Sequence, residues 1–415
     1  MIIFSEEFSR HKSFFQGTHR ACDPAATLKW LLPKARAIGV TRVAKVTGLD
    51  SIDLPVWVAV RPNSRGLSTS QGKGLSDDAA RVSAVMESVE NWHGETIDRP
   101  VRICDWASMK RCAPAVDPES LNYYQDSPPR PDLAMPWIEA FDLISESPCW
   151  VPYESVSTDY VVKSDGSFRS TFVQSSNGLA GGNHMLEAIE HGLSELIERH
   201  AISRDIARIR SFDPAIRIDP GSIQDPACRD VLRRIEAAGV QTAIFSLPSG
   251  FGVPVFACSI MQVDESVRWR SLPPFNGYGC HLEPAVALLR ALTEAVQSRV
   301  TYIAGSRDDI SLAEYGRSGN PDDLKTYKSF FEREATEVFS ESVAHAYLSF
   351  EEDVQHLVRV LASHGYDQVL VADLRKPGVD VPVVKVLAPG LGTPEALIRG
   401  RSIHTPPSRE AGTAA

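Results

Sequence analysis

The spacing of apolar residues along the chain predicts three long amphipathic helices, at 77–93, 183–201 and 283–300. In the second of these, the apolar positions recur every three or four residues at Leu186, Ile189, Leu193 and Leu196, which places them on one buried side. A glycine-rich stretch precedes each helix, at 70–74, 175–182 and 276–279, and we expect these three stretches to be flexible loops.

The opposite face of each helix is polar and rich in carboxylates. In the first two helices a pair of glutamates lies three residues apart, so both carboxylates project from the same patch of surface. The polar faces comprise Ser83, Glu87 and Glu90, then Glu187, His191, Ser194, Glu195, Glu198 and Arg199, and finally Arg290, Glu294 and Gln297. A single stripe of this kind is usually a solvated helix face. Its recurrence in three helices indicates that they converge on something charged.

The remaining pattern predicts a mixed α/β protein with irregularly spaced strands, not a simple βαβ repeat. The second helix is expected to continue towards Arg210, and shorter helices are predicted at 25–32, 225–238 and 350–365. Strands are predicted at 38–46, 56–60, 137–142, 150–156, 241–247, 253–261, 367–372 and 381–387. Residues 105–136, with six prolines, are predicted to be a loop, and 306–323 an exposed loop.

Composition narrows the class of protein. The chain has 415 residues, of which 43% are hydrophobic and 23% charged, as in soluble globular proteins. A net charge of −10 argues against a general nucleic-acid binder. No apolar run reaches the length of a membrane span, and the acidic N-terminus does not resemble a signal peptide. Seven scattered cysteines without a CxxC pair favour a cytoplasmic protein without disulfides.

These residues can be compared with several known kinds of charged site. Lys73 lies between two glycines, but the spacing does not match a phosphate-binding P-loop, and no dinucleotide-binding glycine motif is present. A Glu-x-x-His motif from Glu90 to His93 is compatible with a di-iron centre, but that architecture needs the motif on two helices. Oxygen ligands suit Mg²⁺, and Arg199 and Arg290 suit phosphate. An ATP–Mg²⁺ site and a solvated set of helix faces both remain open.

The three polar faces resemble the three signatures of the YcaO family, over roughly residues 15–395. Its members are ATP-dependent enzymes that modify peptide backbone amides. The resemblance implies that Mg²⁺ is bound by Glu87, Glu90, Glu195 and Glu198. It implies nucleotide contacts at Arg20, Thr27, Ser83, Glu87, Asn183, Glu187, Arg199, Arg290, Glu294 and Gln297. Catalysis would depend on Glu87, Glu195, Glu198, Arg199 and Arg290. The chain departs from many relatives at Asn91, where they have arginine.

Within the family the chain resembles stand-alone members that act with a TfuA-type partner. The resemblance lies in Thr47-Gly48-Leu49-Asp50, Ala59-Val60-Arg61-Pro62-Asn63, Val384-Lys385-Val386 and Pro389-Gly390-Leu391. It implies thioamide formation on a peptide or protein substrate with a sulfur donor, by a homodimer. The chain lacks the Pro-x-Pro-x-Pro tail of azoline-forming members, although an azoline-forming cyclodehydratase and a non-catalytic peptide-binding scaffold remain alternatives.

The same resemblance predicts the domain organisation. We expect residues 1–60 to form the N-terminal part of a YcaO domain, residues 61–400 its ATP-binding catalytic part, and residues 401–415 a flexible tail.

Overall fold

The computed structural model describes residues 1–161, 170–262, 272–310, 315, 321–340, 347–394, 397–398 and 401–405. The helices are α1 Pro24–Ala37, α2 Asp77–Glu95, α3 Trp106–Cys112, α4 Tyr153–Val156, α5 Met185–Arg210, α6 Pro226–Ala237, α7 Pro284–Ala304, α8 Pro321–Phe331 and α9 Phe350–Ser363. The strands are β1 Ile2–Ile3, β2 Glu6–Glu7, β3 Arg42–Lys45, β4 Val56–Val60, β5 Thr69–Lys73, β6 Val101–Cys104, β7 Tyr123–Tyr124, β8 Met135–Asp142, β9 Ser147–Pro152, β10 Leu179–Gly181, β11 Arg217–Ile218, β12 Val240–Leu247, β13 Val255–Gln262, β14 Phe275–Cys280, β15 Leu370–Asp373, β16 Val383–Leu387, β17 Leu397–Ile398 and β18 Arg401–His404.

The larger sheets are antiparallel and are each covered by helices. One has the strand order β3-β4-β5. Another has the order β10-β16-β15-β8-β6, with β9 also paired to β8. A third has the order β11-β12-β13-β14. This arrangement confirms the predicted mixed α/β class.

Three strand–helix units form a closed ring, and this ring positions the site. The strands β5, β10 and β14 lie at the edges of their sheets and lead into α2, α5 and α7 respectively. Each helix packs on its own strand, and each also packs on the strand of the next unit, α2 on β10, α5 on β14 and α7 on β5. The polar faces of the three predicted helices therefore surround a common centre.

Part or all of each glycine-rich stretch before these helices is a strand, so the prediction of flexible loops was wrong at β5, β10 and β14. Their glycines bring strand backbone against helix backbone. A Cβ added at Gly72 would lie 2.1 Å from the Ala84 nitrogen, and one at Gly277 would lie 2.1 Å from the Ala295 nitrogen. Only glycine allows this approach, which is why the strands look like loops in the sequence.

The predicted loop at 105–136 was also wrong in part, because it contains α3 and β7. The helix begins where the Asp105 carboxylate accepts a hydrogen bond from the Ser108 amide at 2.8 Å, and Met109 is buried on its inner side. The strand predicted at 150–156 ends at Pro152 and continues as the helical turn α4.

Three further boundaries differ from the predictions. Helix α1 continues to Ala37, and Gly39 then takes a positive φ of 95°, so the strand predicted at 38–46 is reduced to Arg42–Lys45. Residue Pro321, within the predicted loop at 306–323, begins α8, while 311–314 and 316–320 lie outside the described residues. Of the segment expected to be a flexible tail, Arg401–His404 pairs with β7, and 406–415 lie outside the described residues.

The buried side of α5 matches its sequence pattern. Leu186, Ile189 and Leu193 are fully buried, and Leu196 is nearly so. All seven cysteines lie in the described part of the chain and are free thiols. Among the residues described, none of the helices combines the length and apolarity needed to cross a membrane.

Candidate functional site

A cavity of about 720 Å³ lies at the centre of the ring. Its wall is formed by the three strand–helix units together with the segment that leads into α1. Every residue that the sequence assigns to Mg²⁺ or nucleotide lies on this wall: Arg20, Thr27, Ser83, Glu87, Glu90, Asn183, Glu187, Glu195, Glu198, Arg199, Arg290, Glu294 and Gln297. The structure therefore brings together side chains that are widely separated in the chain.

Backbone amides hold the cavity carboxylates in a repeated pattern. Within the first unit the Glu87 carboxylate accepts a hydrogen bond from the Gln71 amide at 2.7 Å. Glu195 accepts from Gly178 at 3.1 Å and Glu294 from Tyr278 at 3.3 Å, in the other two units. In each unit a glutamate of the helix accepts a hydrogen bond from a backbone amide that lies in the preceding strand or just before it.

Glu90 makes the connection between neighbouring units. Its carboxylate accepts a hydrogen bond from the Gly181 amide of β10 at 2.6 Å, across the contact between α2 and the next strand. A Cβ at Gly181 would lie 3.1 Å from the Glu90 side chain, so glycine leaves room for this contact.

Burial opposes the ionisation of several glutamates on the cavity wall. Burial, with a further contribution from Glu87 and Glu195, raises the pKa of Glu90 to about 8. Burial likewise raises the pKa of Glu87 to about 7 and that of Glu198 to about 7. A bound cation would stabilise the ionised form of all these groups.

Lys73, Arg199 and Arg290 on the same cavity wall carry compensating positive charge. Lys73 lies 2.5 Å from the Glu294 carboxylate. Although burial acts to raise the pKa of Glu294, the charges of Lys73, Arg199 and Arg290 bring it below its ordinary value. Arg199 lies 3.7 Å from Glu195 on its own helix.

The segment leading into α1 is tied to the start of α5. The Asn183 side-chain amide donates to Glu187 at 3.3 Å, and Arg20 lies 3.4 Å from the same carboxylate. The Thr27 hydroxyl donates to the Asn183 side-chain carbonyl at 2.8 Å. These groups form the hydrogen-bonding end of the cavity.

The donor set fits a hard cation with incomplete protein ligation. Its members are carboxylate oxygens, which Mg²⁺ prefers. In the described part of the chain, no three acidic, histidine or cysteine side chains form a ready-made metal cluster. Mg²⁺ usually retains waters and binds substrate phosphates in addition to one or two carboxylates, so it does not require such a cluster.

The Glu-x-x-His motif does not form a metal site. His93 is fully buried, and its Nδ1 lies 2.7 Å from the carbonyl oxygen of Val89 on its own helix. It does not belong to the cavity wall, so the di-iron interpretation lacks its histidine.

The polar and charged wall residues that were not assigned to the site from the sequence include Gln71, Lys73, His191 and Arg307. Gln71 carried no signal in the sequence, and Lys73 was considered only as part of a P-loop, which its spacing excludes. His191 had a signal, because it lies on the polar stripe of α5. Arg307 follows α7, and no sequence pattern indicated it.

Comparison with known proteins gives the family. A family model described as YcaO cyclodehydratase, ATP- and Mg²⁺-binding, matches residues 71–392. The chain belongs to the YcaO family. It is 34% identical over 389 residues to an uncharacterized protein in the tfuA 3′ region of Rhizobium leguminosarum bv. trifolii, covering 90% of this chain and 88% of that protein.

Solved structures of other proteins share the fold. YcaO from Methanopyrus kandleri, bound with AMPPCP and Mg²⁺, superposes with a TM-score of 0.72 at 24% identity, covering 95% of this chain and 98% of that one. A heterocyclase in complex with substrate and cofactor has a TM-score of 0.74 at 20% identity. The alignment covers 94% of this chain but only 54% of the heterocyclase, so this chain spans about half of its length. The predicted family and fold are confirmed, as are ATP and Mg²⁺ as the cofactors. The roles of the individual residues stay predictions.

Proposed function

We propose that this YcaO protein uses ATP to replace the oxygen of a peptide backbone amide with sulfur, giving a thioamide. The ATP-dependent, cyclodehydratase-like class of the enzyme follows from the family. The observation that carries the proposal is the convergence of carboxylates and arginines from three helices on one cavity.

Four glutamates of the cavity wall form the proposed metal site. Glu87, Glu90, Glu195 and Glu198 would hold Mg²⁺, because burial among like charges makes an added cation favourable there. When bound, Mg²⁺ neutralises charge on the triphosphate during phosphoryl transfer.

The arginines of the cavity wall and its hydrogen-bonding end would bind the nucleotide. Arg199 and Arg290 present fixed charges and several N–H donors, which suit phosphate oxygens. Ser83, Glu294 and Gln297 complete the wall beside them. Arg20, Thr27, Asn183 and Glu187, at the end nearest α1, supply the remaining polar contacts.

ATP is needed because the amide oxygen is a poor leaving group. Hydrosulfide adds to the carbonyl carbon, and the resulting oxyanion attacks the γ-phosphorus and releases ADP. The C–O bond of the phosphorylated intermediate then breaks, phosphate leaves with the oxygen, and loss of the S–H proton forms C=S. Arg199 and Arg290 would stabilise negative charge on the transferring phosphoryl group.

A thioamide is preferred over an azoline as the product because the name of a similar protein refers to a tfuA 3′ region. A TfuA-like partner and a sulfur donor would then act with this chain. In the alternative, a Cys, Ser or Thr side chain of the substrate attacks the amide and forms an azoline with loss of water.

We also expect a homodimer, which light scattering of the purified protein would test.

The nucleotide site is tested by replacing its glutamates one at a time. Glu195→Ala and Glu198→Ala should abolish binding of AMPPCP with Mg²⁺ in isothermal titration, because each removes an oxygen from the proposed metal site. Glu236→Ala, on an exposed face of α6, is the matched control and should bind normally. Normal binding by the first two variants would place the site elsewhere, and no binding by the wild type would favour a scaffold.

The product is tested by mass spectrometry of a peptide co-expressed with this protein and a TfuA-like partner. Exchange of one oxygen for sulfur supports the thioamide. Loss of one water without added sulfur would overturn it in favour of the azoline, while leaving the ATP site in place.

A further inference from the structure

His191 contacts an arginine that the proposed function assigns to phosphate. It lies on α5, four residues from both Glu187 and Glu195, and belongs to the cavity wall. Its Nε2 is 2.9 Å from an Nη2 of Arg290 on α7. The contact joins two of the three motif helices across the cavity.

The chemistry of the pair determines the charge state of the histidine. A guanidinium can only donate, so the Nε2 of His191 must be the unprotonated, accepting nitrogen, with the ring proton on Nδ1. Burial, together with the charges of Arg290, Arg20 and Lys73, holds the pKa of His191 well below its ordinary value. The imidazole is therefore neutral and adds no charge to the cavity.

Arg290 has carboxylates nearby with which it does not pair. Its charge lowers the pKa of both Glu198 and Glu294, so both lie within its electrostatic reach. Yet within the described residues no carboxylate lies at ion-pair distance from Arg290, whereas Arg199 lies 3.7 Å from Glu195 and 3.9 Å from Glu198. The contact with His191 occupies a donor of Arg290 without neutralising its charge.

We propose that His191 is a positioning residue, which holds Arg290 away from the metal-site carboxylates and ready for the phosphates of the nucleotide. The inference rests on the proposed ATP site. Without the acceptor, Arg290 would turn to Glu198 or Glu294, and that ion pair would compete with both phosphate and Mg²⁺.

A matched pair of substitutions tests the position of the acceptor atom. The side-chain oxygen of glutamine can take the place of Nε2, whereas that of asparagine takes the place of Nδ1. We expect His191→Gln to bind AMPPCP with Mg²⁺ within roughly threefold of the wild type, and His191→Asn and His191→Ala to bind at least roughly tenfold more weakly, the scale of a hydrogen bond to a charged group. Thermal unfolding of all the variants checks that they are folded.

A double-mutant cycle tests whether His191 acts through Arg290. In an Arg290→Ala background, His191→Asn should cause no further loss of AMPPCP affinity. Wild-type affinity in His191→Asn, equal losses in the Gln and Asn variants, or a full additional loss in the Arg290→Ala background would each overturn the inference while the wild type still binds. Absence of AMPPCP binding by the wild type would instead overturn the proposed function and this inference together.

Discussion

At the scale of single residues, two buried glutamates of the same cavity differ in the direction of their pKa shift. Burial and neighbouring carboxylates raise the pKa of Glu90 to about 8. Glu294 is also buried, but the charges of Lys73, Arg199 and Arg290 bring its pKa below the ordinary value. The cavity thus holds groups of both charges, and a magnesium–triphosphate complex carries charges that complement both.

Burial of a histidine makes the stability of the protein depend on pH, and His93 allows a test of this effect. Burial lowers its pKa from 6.5 to about 4, so its folded form resists protonation. Its contribution to stability is present above pH 6.5 and is lost as the pH falls towards about 4. Between pH 7 and pH 5 we expect this residue alone to remove up to about 2 kcal/mol from the free energy of unfolding.

Urea unfolding at the two pH values measures this loss. His93→Asn retains a donor near the position of Nδ1 for the Val89 carbonyl but cannot titrate. Its free energy of unfolding should fall less between pH 7 and pH 5 than that of the wild type. Equal falls in the two proteins would show that His93 is protonated without cost in the folded state.

At the scale of elements, the close contact of strand and helix aligns each carboxylate with its backbone donor. On α7, Glu294 can reach the Tyr278 amide because β14 approaches the helix at Gly277 and Gly279. Added Cβ atoms at these glycines would lie 2.1 Å from helix backbone atoms. The glycines therefore contribute to the site without contacting its ligand.

We accordingly expect Gly277→Ala to destabilise the protein by about 3 kcal/mol or more, because the helix backbone would have to move. It should also weaken AMPPCP binding, since Arg290 and Glu294 move with α7. Gly48→Ala is the control: a Cβ there meets nothing within 4 Å, so the change should stay within about 0.5 kcal/mol. Chemical denaturation measures the free energy of unfolding of both variants. Similar losses of stability in the two would contradict the packing argument.

At the scale of the whole molecule, the cavity is where three separate sheets meet through their helices. Ligands on its wall would contact all three strand–helix units and the segment before α1 at once. Binding should therefore stabilise the folded chain as a unit and not one sheet alone.

AMPPCP at roughly 100 times its Kd should raise the free energy of unfolding by about 2.7 kcal/mol, provided that Mg²⁺ is present. Adding EDTA should remove most of this gain, because the cavity glutamates would then face the triphosphate without a cation. The Glu195→Ala and Glu198→Ala variants should show little gain under either condition. A gain that EDTA leaves unchanged would contradict a role for the metal.

Prediction from the sequence succeeded where the information is local. The apolar sides of α2, α5 and α7 and their polar faces follow from the spacing of neighbouring residues. Prediction failed where sequence composition pointed to a loop but packing made a strand, as at Gly72 and Gly277. It also missed α3, where the Asp105 cap and buried Met109 outweighed the abundance of prolines nearby.

The sequence by itself determined that α2, α5 and α7 are helices, which of their faces are polar, and which family signatures they carry, because helical periodicity is read within a few turns. Only the tertiary structure decided which groups meet. The pairing of Gly181 with Glu90 spans 91 residues, and that of Arg290 with His191 spans 99. The charge states of the cavity were likewise decided there, because desolvation and neighbouring charges arise only when the three helices close around the same space.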